Sequence, residues 1–257
     1  MLTFVGLGLY DEHSVTLAGQ DAIQRADRVV AEFYTSRLVG TTIDRLEAEH
    51  DTSIEVRDRS SVEQTPDDIL DDAEEKDVVF CTGGDPMIST THVDLRLRAR
   101  ERDIPTRIVH GVTAQTAASS LTGLQNYRFG PATTLPFPDG HGADGLPTSV
   151  TATLEANRER GLHTIVYLDI DATEERFMTA DVAASLLAER YPDLVGVVVG
   201  QAGSPEPTVV GGQMPELSDV SAGEPLHLLV VPGTVHLLEA DALAAFAGVN
   251  RDTLDLQ

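Results

Sequence analysis

Short apolar runs alternate along the chain with longer segments of mixed polarity, and that rhythm is the first guide to the fold. Leu2–Leu7 is a continuous apolar run, as expected of a strand covered on both faces, and a loop follows over Gly8–His13. Ser14 is placed to cap a helix running to about Ala26, with Leu17, Ile23 and Ala26 on one face and Ala22 widening it. Arg28–Phe33 reads as a strand, Ile43–Glu49 as a short helix and Ile54–Val56 as a short strand. Thr65 followed by Pro66 gives a cap and a first helical residue, opening a very acidic helix to about Glu75. Val78–Thr82 is a further buried strand, broken by Gly83-Gly84-Asp85-Pro86. A helix over Thr91–Arg102, a strand over Thr106–Val109 and a small-residue helix over Thr113–Thr122 complete the half. Repeated strand–helix alternation predicts a mainly parallel sheet covered on both faces.

The stretch Gly123–Pro147 is rich in glycine and proline, with Gly130, Pro131, Pro136, Pro138, Gly140, Gly142, Gly145 and Pro147. It marks a domain crossing at its start and a flexible loop at its end, giving domains 1–122 and 123–257. Helices are expected at Thr148–Arg160, Thr179–Arg190 and Val235–Phe246. Strands are expected at Thr164–Asp169, Val195–Gly200, Thr208–Gly211 and Leu226–Val231. Two strands in succession with no helix between them predict a mixed second sheet. The fold class is therefore α/β, with two α/β domains and a ligand cleft expected between them.

Composition narrows the partners. Of 257 residues, 41% are hydrophobic, enough for a core. Forty-two acidic residues against 18 basic ones give a net charge of −24, which argues against a nucleic-acid-binding surface or docking on anionic lipid. Lys76 is the single lysine, and the acidity is dispersed rather than gathered in a tail. Such a dispersed excess resembles the cytosolic proteins of extreme halophiles, where salt screens self-repulsion. Cys81 stands alone, so neither an intrachain disulfide nor a Cys/His zinc cluster is expected. No apolar run approaches the roughly 20 residues of a membrane span. MLTFVGLGLYDE has neither the basic region nor the cleavage site of a signal peptide, so a soluble, cytoplasmic protein is expected.

Candidate chemistry gathers in loops that follow strands, namely Gly6–His13, Gly83–Thr90, Gly111–Gln115 and Gln201–Pro207. In open α/β sheets ligands bind beyond the carboxyl ends of strands. Gly6 and Gly8 start a dinucleotide fingerprint, but Asp11 occupies its third glycine position and no acid is convincingly placed for a ribose, although Glu32 is near. A tight turn is the alternative for this pair. Asp85 in Gly83-Gly84-Asp85-Pro86 either accepts hydrogen bonds from ligand hydroxyls or attracts a cation, or it closes an Asp-Pro turn on itself. No P-loop lysine follows, and there is neither a G-x-S-x-G elbow nor an H-E-x-x-H pair. His110, His163, His227 and His236 read as hydrogen-bonded structural residues. Arg96, Arg98, Arg100 and Arg102 wrap around their helix as a solvated, acid-paired surface.

Longer blocks carry a resemblance. Phe4–Glu12 (FVGLGLYDE), Ala31–Ser36 (AEFYTS), Gly83–Arg96 (GGDPMISTTHVDLR), Glu159–Ile170 (ERGLHTIVYLDI), Gln201–Thr208 (QAGSPEPT) and His227–Ala240 (HLLVVPGTVHLLEA) together span nearly the whole chain. They resemble the tetrapyrrole-methylase-like class of S-adenosylmethionine-dependent methyltransferases, and within it the diphthine synthase family. The resemblance implies S-adenosyl-L-methionine as cofactor and translation elongation factor 2 as protein substrate. The amino group of a modified histidine would be methylated to the trimethyl form, in diphthamide biosynthesis, by a homodimer. It further implies donor contacts at Leu9, Asp85, Ile88, Thr113, Ala114, Leu168, Ala202 and His227, and no metal. His110-Gly111-Val112-Thr113 departs from the family's usual pattern, and Ala114 replaces a larger apolar residue, which suits a backbone contact.

Methyl transfer from a sulfonium needs position and dryness more than a catalytic triad. No dedicated base is legible. Tyr10, Phe33 or Tyr34, or the carboxylates of Asp11 and Glu12, are candidates to face a growing cation. The competing readings are a tetrapyrrole or cobalamin-precursor C-methyltransferase, whose polycarboxylate substrates favour a basic cleft, and a non-catalytic binding module that has kept the fold. The charge yields a direct expectation: thermal melts will shift upward between low and molar potassium chloride, and identical melting temperatures would exclude a salt-dependent fold.

Overall fold

The computed structural model describes residues 1–140, 145–172 and 174–257. The chain divides into two compact units, Met1–Thr113 and Ala114–Gln257.

In the first unit five strands form a wholly parallel sheet: β1 (Leu2–Gly6), β2 (Arg28–Glu32), β3 (Ile54–Arg57), β4 (Val78–Thr82) and β5 (Thr106–Val109), in the order β3-β2-β4-β1-β5. The helices are α1 (Leu17–Arg25), α2 (Ile43–His50), α3 (Arg59–Glu63), α4 (Asp67–Glu75) and α5 (Val93–Glu101). Alternate strand residues serve opposite faces. Leu2, Phe4, Val30, Val78 and Phe80 pack with Val62, Ile69, Leu70, Leu95 and Ala99 from α3, α4 and α5. Val5, Val29, Ala31, Val79 and Cys81 pack with Ile23 and Leu46 from α1 and α2. Burial on both faces is why these strands read as unbroken apolar runs. It also pushes the Cys81 thiol up to about 12.

The topology has one consequence for the site. β1 leads across β4 to β2, and β4 leads back across β1 to β5, so the two neighbouring strands send their connections over opposite faces. The carboxyl ends of β1 and β4 are therefore the switch point of this sheet.

The second unit opens with α6 (Ala114–Thr122) and holds a five-stranded mixed sheet, in the order β11-β10-β12-β7-β6. Its strands are β6 (Thr133–Leu135), β7 (Thr164–Leu168), β10 (Val195–Gly200), β11 (Thr208–Gln213) and β12 (His227–Val231), with the small hairpin β8 (Ile170–Asp171) and β9 (Arg176–Phe177) beside them. Only β6–β7 is parallel; β12 runs antiparallel to β7 and β10, and β10 to β11. Ile165, Val197, Val199, Leu228 and Val230 face α6 and α10 (Leu237–Ala247). Val166, Val198, Leu229 and Val231 face α7 (Thr148–Glu159), α8 (Ala180–Ala188) and α9 (Met214–Leu217).

Several expectations need correction. The division falls between Thr113 and Ala114 rather than after residue 122, because Ala118 and Leu121 of α6 join the core of Leu243 and Ala240. Thr16, not Ser14, caps α1 by accepting the Gly19 N–H at 3.1 Å, and Ser14 instead donates to the Leu9 carbonyl. Leu17 is 82% exposed, and Gly19 takes the buried position one turn before Ile23. A Cβ on Gly19 would stand 3.0 Å from Val5 Cγ1, so this residue provides the close helix–strand contact that Asp11 cannot. Pro66 precedes the first residue of α4 rather than being it. The helix α3, the hairpin β8–β9, the edge strand β6 and the turn-length α9 were not legible. Gly142 and the rest of residues 141–144, part of the stretch Gly123–Pro147 at whose end a flexible loop is expected, lie outside the described residues.

A buried polar pin holds the second unit. His163 is fully buried; its Nδ1 accepts the Gly233 N–H at 2.9 Å, which leaves Nε2–H to face Glu239 Oε1 at 3.2 Å. Glu239 also accepts the Gln125 and His236 amides, both at 2.9 Å. Burial depresses the His163 pKa against the pull of Glu239, and burial likewise depresses His50, His92 and His227. A histidine with a depressed folded pKa resists a proton that the unfolded chain accepts. Its contribution is complete above the ordinary value of 6.5 and is lost as pH falls below it. Denaturant melts at fixed molar salt will therefore show unfolding free energy rising with pH up to about 6.5; a flat profile there would contradict the buried-histidine account.

Candidate functional site

At the switch point the main chain is packed without side chains. Gly8 and Gly84 pair across the two loops, Gly8 N–H to Gly84 O at 3.2 Å and Gly84 N–H to Gly8 O at 2.7 Å, both residues in the left-handed region. A Cβ on Gly6 would stand 2.4 Å from Gly84 O and 2.6 Å from Gly111 N. One on Gly111 would stand 2.2 Å from Gly84 O. The loops after β4 and β5 thus close over the end of β1, which needs glycine at Gly6 and Gly111 because a Cβ would strike main chain, and favours it at Gly84 because of its left-handed backbone.

That closure sets Asp85. The side chain is buried, accepts the Met87 N–H at Oδ1 (2.9 Å), and at Oδ2 faces His110 Nδ1 (2.7 Å) and the Gly111 N–H (3.4 Å). The Asp-Pro turn is real, and the same carboxylate also ties the β4 loop to the β5 loop. Beside it, Ile88 and Val112 are 45% and 53% exposed.

The AEFYTS block buttresses this loop. Glu32 is wholly buried and accepts Tyr34 N–H, Thr35 N–H and the hydroxyls of Thr35 and Thr82. It is therefore committed to its own turn and is not a ribose ligand. A Cβ on Gly83 would stand 2.9 Å from Ser36 Oγ, which places the AEFYTS turn against the Gly83-Gly84 loop. His92 joins the same cluster, with Nδ1 3.2 Å from the Pro86 carbonyl and Nε2 3.4 Å from Glu32 Oε1.

The LYDE segment is equally anchored. Tyr10 adopts φ +76°, in the left-handed region rare for a bulky side chain, and its carbonyl accepts the Gly40 N–H at 2.7 Å. Its ring covers Gly40, where a Cβ would stand 2.5 Å away. Asp11 accepts the His13 N–H. Glu12 is buried and bonded to Arg45 at 2.5 Å; hydrogen bonds from Thr41, its own backbone and Arg45 hold its carboxyl below the usual range. Arg59 lies over the Tyr34 ring at 5.1 Å, and Phe33 packs toward α1 and α2. The groups expected to face a growing cation are thus engaged within the unit. Of the four arginines expected to be acid-paired, Arg98 in α5 bonds Asp94 and Arg102, at its C-terminal cap, bonds Asp71, whereas Arg96 donates to the Thr106 hydroxyl instead.

In the first unit, then, Leu9, Asp85, Ile88 and Thr113 stand beyond the carboxyl ends of three adjacent strands, β1, β4 and β5. In the second unit a similar gathering occurs at one sheet edge. Gly200 pairs with His227, and Tyr167 with Leu228, which sets Leu168 beside His227 and Ala202 just beyond. His227 is itself fixed by backbone: Nδ1 accepts the Ala180 N–H at 3.1 Å and Nε2 donates to the Gly223 carbonyl at 3.1 Å. Both ring nitrogens are spent, and burial holds the ring neutral. Gln201, at φ +50°, covers Gly223. Ala114 is the first residue of α6 and belongs to the second unit.

The comparisons bear on what this edge holds. A family model for the Tetrapyrrole (Corrin/Porphyrin) Methylases matches residues 1–218. The chain belongs to this family. Within it, the diphthine synthase of Haloarcula marismortui is 63% identical, covering 96% of this chain and 98% of its own. That of Halobacterium salinarum is 62% identical, covering 99% and 100%. A crystal structure of a diphthine synthase superposes with a TM-score of 0.90 at 35% identity over 98% of both chains. As a tetrapyrrole methylase of this branch, the chain is an S-adenosylmethionine-dependent methyltransferase.

The residues fit such a donor. Around Gly84 there is open space, with nothing nearer than 4.0 Å to a built Cβ, bordered by Thr113 and the Val112 carbonyl. Exposed Ile88 and Val112 add apolar surface beside accessible main chain, which suits an uncharged adenosine. The glycine closure predicts a sharp effect: Gly111→Ala must displace main chain rather than a flexible side chain. Denaturant melts in molar salt will show a loss of about 2–3 kcal/mol, and calorimetry will show weakened donor binding; wild-type values for both would refute the closure.

Proposed function

We propose that this enzyme methylates the amino group of the modified histidine of translation elongation factor 2, to the trimethyl form, in diphthamide biosynthesis. The observation that carries this reading is full-length identity above 60% to diphthine synthases of halophilic archaea, joined to the glycine-closed edge at the switch point. S-Adenosylmethionine supplies an activated methyl group when bound. Leu9, Asp85, Ile88 and Thr113 from the first unit, with Ala114, Leu168, Ala202 and His227 from the second, are the residues assigned to hold it. His227 serves through its main chain, since its ring is committed, and Ala114 through its backbone.

The chain's contribution to the reaction is positional. Glycine closure packs the loop main chain directly against main chain, and a rigid scaffold of this kind supplies the alignment of reacting atoms that converts a bimolecular step into an effectively unimolecular one. A cytoplasmic location accords with the absence, among the described residues, of a helix long and apolar enough to cross a membrane. A homodimer accords with the apolar side chains that α10 leaves exposed, Leu237, Leu238 and Phe246. Copies carrying −24 each repel one another except across an uncharged face.

The test is mass spectrometry of elongation factor 2 bearing the aminocarboxypropyl-histidine, incubated with enzyme and donor in molar potassium chloride. Gains of one, two and three methyl groups on that residue are expected. An unmodified factor, with methyl transfer to a corrin or uroporphyrinogen instead, would replace this reading with tetrapyrrole methylation.

A further inference from the structure

The amine that accepts the methyl group is an ammonium at neutral pH, and a nitrogen without a lone pair cannot attack. Every transfer therefore needs a proton acceptor. The structure offers one at the switch point. His110 follows β5 directly, and its side chain is 76% exposed while that of Asp85 is 3% exposed. Asp85 Oδ2 lies 2.7 Å from His110 Nδ1. A carboxylate that already accepts the Met87 and Gly111 amides acts here as an acceptor, so Nδ1 bears the hydrogen and Nε2 bears the lone pair. This is the tautomer and the orientation that a buried carboxylate imposes on a histidine base.

Among the described residues, the buried histidines lack this combination. His163 and His227 are buried with both nitrogens bonded, and His92 is buried between Glu32 and the Pro86 carbonyl. His110 alone among these is anchored through one nitrogen to a buried carboxylate with the rest of its ring in solvent. It stands next to Gly111 and on the same edge as Leu9, Ile88 and Thr113.

We propose that His110, oriented by Asp85, is the general base of the methyl transfer; this rests on the substrate reading above. Nε2 takes a proton from the acceptor ammonium, and the N–H bonding pair stays on the amine nitrogen. That pair forms the bond to the methyl carbon as the carbon–sulfur bond breaks and its electrons pass to sulfur, leaving a neutral thioether. The imidazolium then returns its proton to water. The products of the first and second transfers are again ammonium ions with N–H protons, so His110 acts before each of three transfers. The trimethylammonium has none left and the cycle stops.

The experiment is single-turnover methyl transfer to elongation factor 2 in molar potassium chloride, from pH 6 to pH 10, for wild type, His110→Ala and His110→Asn. Because the side chain is exposed, both variants will fold, as their melts will show, and will bind the donor with affinity within about threefold of wild type by calorimetry. The transfer rate at neutral pH falls roughly 100-fold or more. The deficit narrows as pH rises and water removes the amine proton unaided, and added imidazole restores part of the rate to His110→Ala. Rates and pH profiles equal to wild type overturn the proposal, as does a deficit that is constant with pH and unmoved by imidazole. A wild type that leaves elongation factor 2 unmethylated overturns the substrate reading instead.

Discussion

Three glycines at one end of a parallel sheet govern what the first unit can do. Gly6 ends β1, and Gly84 and Gly111 lie in the loops that follow its two neighbours, with their main chains closer than any side chain would permit. The contact lets the loops after β4 and β5 meet above β1. Without it Asp85 and His110, 25 residues apart, would be separated by the width of a strand. The same closure leaves the main chain around Gly84 open on its other side, bordered by Thr113 and Val112. Main-chain packing of this kind is stiff, because no rotamer can relax it, and stiffness is what an in-line displacement requires of its scaffold.

Buried charge is used as scaffolding rather than as chemistry. Glu32 and Glu239 are each surrounded by donors from turns or helix starts, Glu12 is held through one oxygen by Arg45, and each fixes a loop beside a sheet end. Leaving such donors unpaired costs on the order of 1–3 kcal/mol each, so these carboxylates specify the conformation of the loops that carry the site. The distinction separates Asp85 from the rest. It too accepts backbone amides, but it alone passes its remaining hydrogen bond to a histidine whose ring is exposed.

The acidic surface serves another end. Arg28 bridges Glu55, Asp68 and Asp72, and Arg102 bridges Asp67 and Asp71, so these two arginines are spent in networks that offset local repulsion. Networks of this kind hold elements together more effectively than isolated surface pairs. The charges that remain unpaired depend on dissolved salt for screening.

What the sequence determined by itself was local and periodic. The apolar runs from Leu2, Val78, Val195 and Leu226 located strands, because a strand buried on both faces has no room for polar residues, and the long helices followed from their spacing. The six longer blocks identified the family and with it the donor. Short elements escaped: α3, β6 and the β8–β9 hairpin owe their existence to a cap, a neighbouring strand edge or a tight turn, and too few residues carry the pattern. Tertiary structure alone decided that Thr16 rather than Ser14 caps α1, that α6 belongs with Leu243, that Glu32 is consumed by its own turn, and that Asp85 reaches His110. Each of these depends on which strands are neighbours, and the order β3-β2-β4-β1-β5 arises from crossovers that no local pattern encodes.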